Sequence, residues 1–268
     1  FMGLLAMLLF IRCSKNSSIG IILFSIFFYF GLTNMPWLPL ILIYGLIGYK
    51  IGGLSLALSI ILGLSFITLT GVLPQALLSI YLCGIAVIVS FLIGSSLGIW
   101  AAHNDRVSAF MRPINDTMQT MPSFVILIPF VMIFKIGEFT ALLAIIAYAF
   151  VPAMRYTEHG LRNLPETVVE AAKMIGCSKS QLLWKVKIPL AFPVIMLGLN
   201  QTIMFGLAML VIAALVGTTG LGQLIYIGLS KANFGLGMIA GVSIAIIAIL
   251  FDRVTQALKI KLEKNYNR

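Results

Sequence analysis

A chain of 268 residues that is 60% hydrophobic and only 10% charged is too apolar for a soluble domain, which carries about 25% charged residues. One core cannot hide this much apolar surface, so lipid must cover part of it. The net charge of +10, from 18 Lys and Arg against 8 Asp and Glu, is spread through short gaps between apolar runs, the pattern of membrane loops rather than of a nucleic-acid surface.

A bilayer crossing takes about 20 apolar residues. Residues 1–11 read as the tail of a longer helix, which places the start of the protein upstream. Segment 19–33, with Phe24, Ser25, Phe27, Phe28 and Tyr29, suits a span or a helix lying along the outer face. Residues 37–49 and 53–70, joined by Lys50-Ile51-Gly52-Gly53, read as a tight helical hairpin. Further spans are predicted at 75–101, 117–134, 139–155, 190–216 and 236–257. The expectation is an all-α integral membrane protein with about eight transmembrane helices. Residues 1–36 form its N-terminal membrane or interfacial helices, 37–258 its transmembrane domain, and 259–268 a basic cytoplasmic tail.

Charge orients the spans. His103, Arg106 and Arg112 follow 75–101, a long polar loop carries Arg155, Arg162, Lys173, Lys179, Lys185 and Lys187, and the tail holds Arg253, Lys259, Lys261, Lys264 and Arg268. All three clusters face the cytoplasm if the spans alternate, leaving 71–74, 135–138 and 217–235 outside with only Lys135, Glu138 and Lys231. Cys13, Cys83 and Cys177 are far apart and lack CxxC or Cys/His spacing, so neither a zinc site nor a disulfide framework is implied.

The most informative stretch is the loop 163–189. Pro165 and Glu166 open a first short helix, where a missing N–H costs nothing and a carboxylate meets the positive helix end. Gly176 closes it. Ser178-Lys-Ser-Gln181 is a capping box for a second helix, and Pro189 marks the start of the next span. Ala171, Ala172 and Gly176 give the first helix a small-residue surface, and Glu170 adds a charge for an ion pair. On these residues alone the bracket is equally an amphipathic connector and a platform for another protein.

Its spacing resembles the signature of ATP-binding-cassette (ABC) importer permeases: a Glu-Ala-Ala triplet, three residues, Gly, nine residues, and a hydrophobic-x-hydrophobic-Pro ending. Here that is Glu170-Ala171-Ala172, Gly176 and Val186-Lys187-Ile188-Pro189, with valine and isoleucine where the family usually has isoleucine and leucine. Over about 37–258 the chain further resembles permeases of glycine betaine/proline betaine importers, through Asp116-Thr-Met-Gln119-Thr-Met-Pro122-Ser-Phe-Val125, Asn200-Gln201-Thr202, Gly220-Leu-Gly-Gln223 and Asp252-Arg-Val-Thr255-Gln-Ala257. The resemblance implies a type I importer core with 163–189 as its coupling loop. Glu170, Ala171, Ala172, Gly176 and Pro189 would then couple to a cytoplasmic ATP-binding subunit. It also implies an extracytoplasmic substrate-binding protein, a second permease copy or close relative, and a multi-pass place in the bacterial plasma membrane. Magnesium-ATP belongs to the ATPase, and no cofactor is expected in this chain. The implied cargo is glycine betaine or a related amine or osmolyte: choline, carnitine, proline betaine, trimethylamine N-oxide or dimethylsulfoniopropionate.

Nothing else points to an enzyme. The pattern G-x-x-x-x-G-K-[ST] is absent, so ATP hydrolysis must come from another subunit. His103 and His159 are isolated loop histidines. Gly217-Thr-Thr-Gly220-Leu-Gly222 reads as the turn after a long span, with an outer gate as the sharper reading. Pro122, Pro129, Pro152 and Pro193 permit kinks, which suit hinges and static packing equally. Asn200, Gln201 and Thr202 read as interhelical hydrogen-bonding groups, or as lining of the translocation path. Met204 and Met209 read as core packing, or as a soft apolar gate. Spans 75–101, 139–154 and 190–216 contain no charge, which disfavours the rival reading of an ion-coupled secondary transporter or channel.

Overall fold

The computed structural model describes residues 37–266, and all regular structure among them is helical. The segments 1–11 and 19–33 lie outside the described residues. The first described helix, α1 (Trp37–Leu69), is broken at Gly53, where φ is 79°. Only glycine takes that conformation without strain. A Cβ on Gly45 would come within 2.9 Å of Ile61, sixteen residues on. A straight helix would hold those two positions about 24 Å apart, so the limbs fold back on each other as the hairpin expected over 37–70. Leu40, Ile41, Leu56, Ile60 and Leu64 seal its inner face.

The centre of the protein is a bundle of α2 (Leu73–His103), α5 (Glu138–Arg162) and α8 (Ile188–Ala213). Without a hydrophobic drive between helices in lipid, close backbone approach supplies the packing energy. A Cβ on Gly94 would lie 2.4 Å from the Phe150 carbonyl, and one on Gly98 2.6 Å from that of Met154. These glycines let α2 lie directly on α5. Ala144, Ile145, Leu142, Met209 and Leu210 fill the shared core and are almost wholly shielded.

Three connections differ from expectation. Residues 117–134 are not one straight span: α3 (Asp105–Thr120) and α4 (Ser123–Phe134) meet at 103°. Pro122 lacks the N–H that would continue α3 and drives Met121 out of the helical region, to ψ 134°. The second short helix of the polar loop is not separate from the following span. The turn α7 (Lys179–Gln181) passes through a π-helical stretch, Leu182–Lys187, straight into α8, giving one rod over Lys179–Val216. Finally, the connection 217–235 holds a short apolar helix, α9 (Leu221–Ser230), before the last helix, α10 (Phe234–Tyr266). Its ten residues are too few to cross a bilayer, and their uniform polarity with the adjoining spans hid them.

Among the described residues five helices are long and apolar enough to cross a membrane, or six with the bent pair α3–α4 taken as one. That number counts the two limbs of α1 once. Both ends of the bundle are tied. At one end the Gly137 N–H donates to the Val216 carbonyl at 3.0 Å, the Thr219 hydroxyl bonds Glu138, and the Leu221 N–H donates to Ser79 Oγ at 2.8 Å. At the other end gather the basic residues that follow α2 and α5. Lys261 Nζ also donates there to the Lys50 carbonyl at 2.9 Å.

Candidate functional site

The bracket 163–189 emerges from α5 at the basic end. Arg162, its last anchor, is held by three groups. Nη1 donates to Asp105 Oδ1 at 2.7 Å, Nη2 to the Ala101 carbonyl at 2.7 Å, and Nε lies 3.0 Å from Glu158 Oε1. The same carboxylate oxygen accepts from the Ser108 hydroxyl at 2.5 Å. One guanidinium thus joins the ends of α2, α3 and α5. Nearby, Arg155 bonds Asp116 and donates to Gln119 Oε1 at 2.6 Å, holding α3 against α5 just before the bend at Pro122. The sequence marked both arginines only as positive charge. Glu158 stands four residues before Arg162, a spacing that helices pair, but Gln119, Asp116 and Asp105 lie 36 to 57 residues from their arginines and give no local signal.

Helix α6 (Glu166–Met174) follows Pro165, with Glu166 in its first turn and Lys173 in its last, each matched to the helix dipole. It ends as the chain turns left-handed at Gly176, φ 84°, where the Gly176 N–H reaches the Lys173 carbonyl at 3.0 Å and the Cys177 N–H that of Ala172 at 3.3 Å. These bonds satisfy carbonyls that the helix leaves open. Both halves of the capping box are formed: Gln181 N–H to Ser178 Oγ at 3.3 Å, and Ser178 N–H to Gln181 Oε1 at 3.0 Å. The Ile188 N–H then bonds the Leu183 carbonyl, five residues back. This wide turn sits immediately before Pro189, which has no N–H to give.

Of the residues singled out in the loop, Glu170, Ala171 and Gly176 are exposed on the bracket. Ala172 faces the other way and is buried, 8% exposed, so it seats α6 rather than offering it a surface. Pro189 is half-buried at the start of α8, away from that exposed face. The structure adds apolar residues the sequence reading passed over: Met174 is 90% exposed, Ile175 83% and Trp184 63%. Exposed apolar side chains on a capped, anchored loop suit contact with another protein or with the lipid interface. Their signal in the sequence was weak, because each lies beside a lysine or the terminal glycine and none sits in a long apolar run. Beneath the platform a groove of about 280 Å³ is lined by Leu164, Glu166, Val169, Glu170, Lys173 and Lys187. Leu161, Ala191 and Ile195, with Leu164, Leu183 and Ile188 against them, anchor the bracket to the bundle.

The polar residues of α8 are elsewhere. Asn200 bonds α10: its Nδ2 donates to Asp252 Oδ1 at 2.8 Å, and its Oδ1 accepts from the Thr255 hydroxyl at 2.8 Å. Thr202 turns its hydroxyl back to the Gly198 carbonyl at 2.8 Å and is wholly buried. Gln201 and Met204 are half-buried, whereas Met209 is fully enclosed in the core between α2, α5 and α8. The structure therefore does not bring Asn200, Gln201, Met204 and Met209 onto one open surface of this chain.

The described residues form a bundle of long apolar helices interrupted by a rigid polar platform that is continuous with one of the spans, the architecture of a multi-pass membrane protein. The comparisons agree with that class. Residues 94–264 match the family described as "Binding-protein-dependent transport system inner membrane component", and the chain belongs to that family. The glycine betaine/proline betaine transport system permease protein ProW of Escherichia coli is 39% identical over 84% of this chain, which spans 64% of the length of that relative. The glycine betaine transport system permease protein OpuAB of Bacillus subtilis is 37% identical, over 88% of this chain and 84% of the relative. A solved structure of the MetNI methionine ABC transporter in inward-facing conformations superposes with a TM-score of 0.61 at 19% identity, covering 69% of this chain and 93% of that one. The core is thus the type I importer permease fold.

Proposed function

We propose that this chain is the permease subunit of an ATP-driven importer for glycine betaine or a related quaternary amine or osmolyte, and that it forms the path across a bacterial plasma membrane by alternating access. The observation that carries the reading is the bracket 163–189. It presents Glu170, Ala171, Met174 and Ile175 to solvent, is fixed at both ends, and runs without interruption into the span α8. A movement imposed on such a platform is delivered into the membrane instead of being absorbed by a loose loop.

The partners follow from this role. A cytoplasmic ATPase with its magnesium-ATP docks on α6, a second permease copy completes the pore, and an extracytoplasmic binding protein delivers cargo at the end where Gly137, Val216, Thr219 and Leu221 are tied together. Permeases similar to this chain carry glycine betaine in their names, which supports the cargo class. Aromatic recognition of a quaternary ammonium belongs to the binding protein.

The test is uptake of labelled glycine betaine into proteoliposomes holding this chain with its ATPase and binding protein, with ATP inside and choline, carnitine, proline betaine and trimethylamine N-oxide as competitors. ATP-dependent uptake is the expected result. Flux that ignores ATP would replace this reading with a secondary transporter or channel.

A further inference from the structure

Two sequence stretches that the coupling platform leaves unexplained, Asn200-Gln201-Thr202 and Asp252-Arg-Val-Thr255, meet in space. Asn200 Nδ2 donates to Asp252 Oδ1 at 2.8 Å, and Asn200 Oδ1 faces the Thr255 hydroxyl at 2.8 Å. The other carboxylate oxygen of Asp252 accepts from Gln256 Nε2 at 2.7 Å. Asn200 thus meets α10 through both its amide nitrogen and its amide oxygen, sharing the Thr255 hydroxyl with the Phe251 carbonyl at 2.9 Å, and both carboxylate oxygens of Asp252 accept from side-chain amides.

A carboxylate at the edge of an apolar helix is costly, and simple packing does not require one. What a directional pair adds is register. An amide clamped to both a carboxylate and a hydroxyl allows α8 to slide on α10 only by breaking all of its bonds together. The position gives that register a use. Asn200 lies about 18 Å along α8 from Ile188, at 1.5 Å per residue, on the same unbroken rod that begins in the capping box at Ser178. On the far side, α10 packs against both α1 and α9. At its start Gly228 of α9 lies against Gly237, close enough that a Cβ on Gly228 would come within 2.7 Å. From there α9 leads back to Leu221 and its bond to Ser79.

We infer that Asn200 and Asp252 form the joint through which displacement of the cytoplasmic bracket, carried along α8, moves α10 and with it the outer helix α9. Both are positioning residues. This inference rests on the importer reading above.

The experiment measures ATP hydrolysed per cargo molecule imported by the reconstituted complex. Wild type is measured first, and an absence of ATP-driven uptake there would overturn the importer reading and the joint with it. Given a working wild type, Asp252→Ala and Asn200→Ala are each expected to raise the ratio about fivefold, the scale of coupling lost by mutation along such a network, while hydrolysis persists. The double variant is expected to be no worse than either single one, because both remove the same joint. Asp252→Asn keeps an acceptor toward Asn200 and should stay near the wild-type ratio. Asn200→Asp sets two carboxylates against each other and should uncouple, and adding Asp252→Asn to it should restore coupling. That exchange also carries the test if an alanine variant fails to assemble. If uptake and hydrolysis fall in proportion throughout, or the exchange fails to restore the ratio, the pair only glues two helices and the inference is overturned.

Discussion

Arg162 and Asp105, fifty-seven residues apart, share a hydrogen bond of 2.7 Å at the point where the polar bracket leaves the membrane bundle. The two partners are unequal. The Asp105 side chain is 91% exposed, whereas Glu158, the second acid on the same guanidinium, is 12% exposed. An exposed ion pair contributes little, but a shielded carboxylate stripped of its cation is left poorly solvated. Arg162→Ala is therefore expected to destabilise the protein by about 1–3 kcal/mol, and Asp105→Ala by less than about 0.5 kcal/mol. Thermal unfolding of the purified protein in detergent checks the pair. Equal losses would mean that Glu158 finds another donor.

Ser178 tests the second anchor of the bracket. Its hydroxyl and the Gln181 side chain satisfy each other's backbone N–H groups. Loss of an N-cap hydroxyl costs about 1 kcal/mol. Ser178→Ala should therefore speed amide exchange over residues 179–183 by about fivefold while leaving α2 and α5 protected. Hydrogen-exchange mass spectrometry reads this directly. Unchanged exchange at 179–183 would show that α8 alone holds the turn.

Local chemistry explains what could be read before the fold was seen. Long apolar runs announced the spans. The Gly53 turn, the Pro165 start, the Gly176 stop and the Ser178–Gln181 box were legible because each is written within four residues. The break at Met121-Pro122 was missed although Pro122 stood in view: a proline permits a continuous kinked span as readily as a 103° turn. The choice is made by Arg155, which ties α3 to α5 from more than thirty residues away. Helix α9 was invisible because its composition matches that of the spans around it. The exposed trio Met174, Ile175 and Trp184 was passed over because exposure is a property of the folded bracket, not of a residue type. Asn200 could be seen as a polar group in an apolar helix, but its partner Asp252 could not be assigned across 52 residues.

The contact of α2 with α5 gives a sharp steric contrast. A side chain on Gly98 would collide with the Met154 carbonyl at 2.6 Å and with Thr157 Cβ at 2.8 Å, whereas one on Gly84 of the same helix meets nothing within 4 Å. Backbone cannot yield as a flexible side chain does, so Gly98→Val should cost about 1–3 kcal/mol or more. Gly84→Ala should be neutral or slightly stabilising, since alanine is the better helix former. The melting temperatures of the two variants in detergent are expected to fall on opposite sides of, or well below and close to, that of wild type. A tolerated Gly98→Val would mean that the two helices can part without loss.

The platform itself yields the most direct functional prediction. Glu170 is exposed on α6 and Gly176 occupies a left-handed turn between Ile175 and Cys177, with open space around the position of its missing Cβ. Glu170→Lys reverses a charge at the proposed docking face. Gly176→Asp adds a charge beside the exposed Ile175, at a cost to the backbone of only about 1–2 kcal/mol, because aspartate tolerates this conformation better than most residues. Neither change touches the spans, so both variants should insert and purify at wild-type levels. Both should lose at least about 90% of ATP-dependent uptake and co-purify poorly with the ATPase, as expected when a charge is misplaced in the centre of an interface. Met174→Asp, which replaces the most exposed apolar side chain of α6, should behave the same way. Pull-down of the ATPase and uptake are measured on the same preparations. Loss of uptake with full ATPase binding would move the defect from docking to transmission along α8. Full uptake by all three variants would remove α6 as the coupling surface and leave the bracket a mere connector.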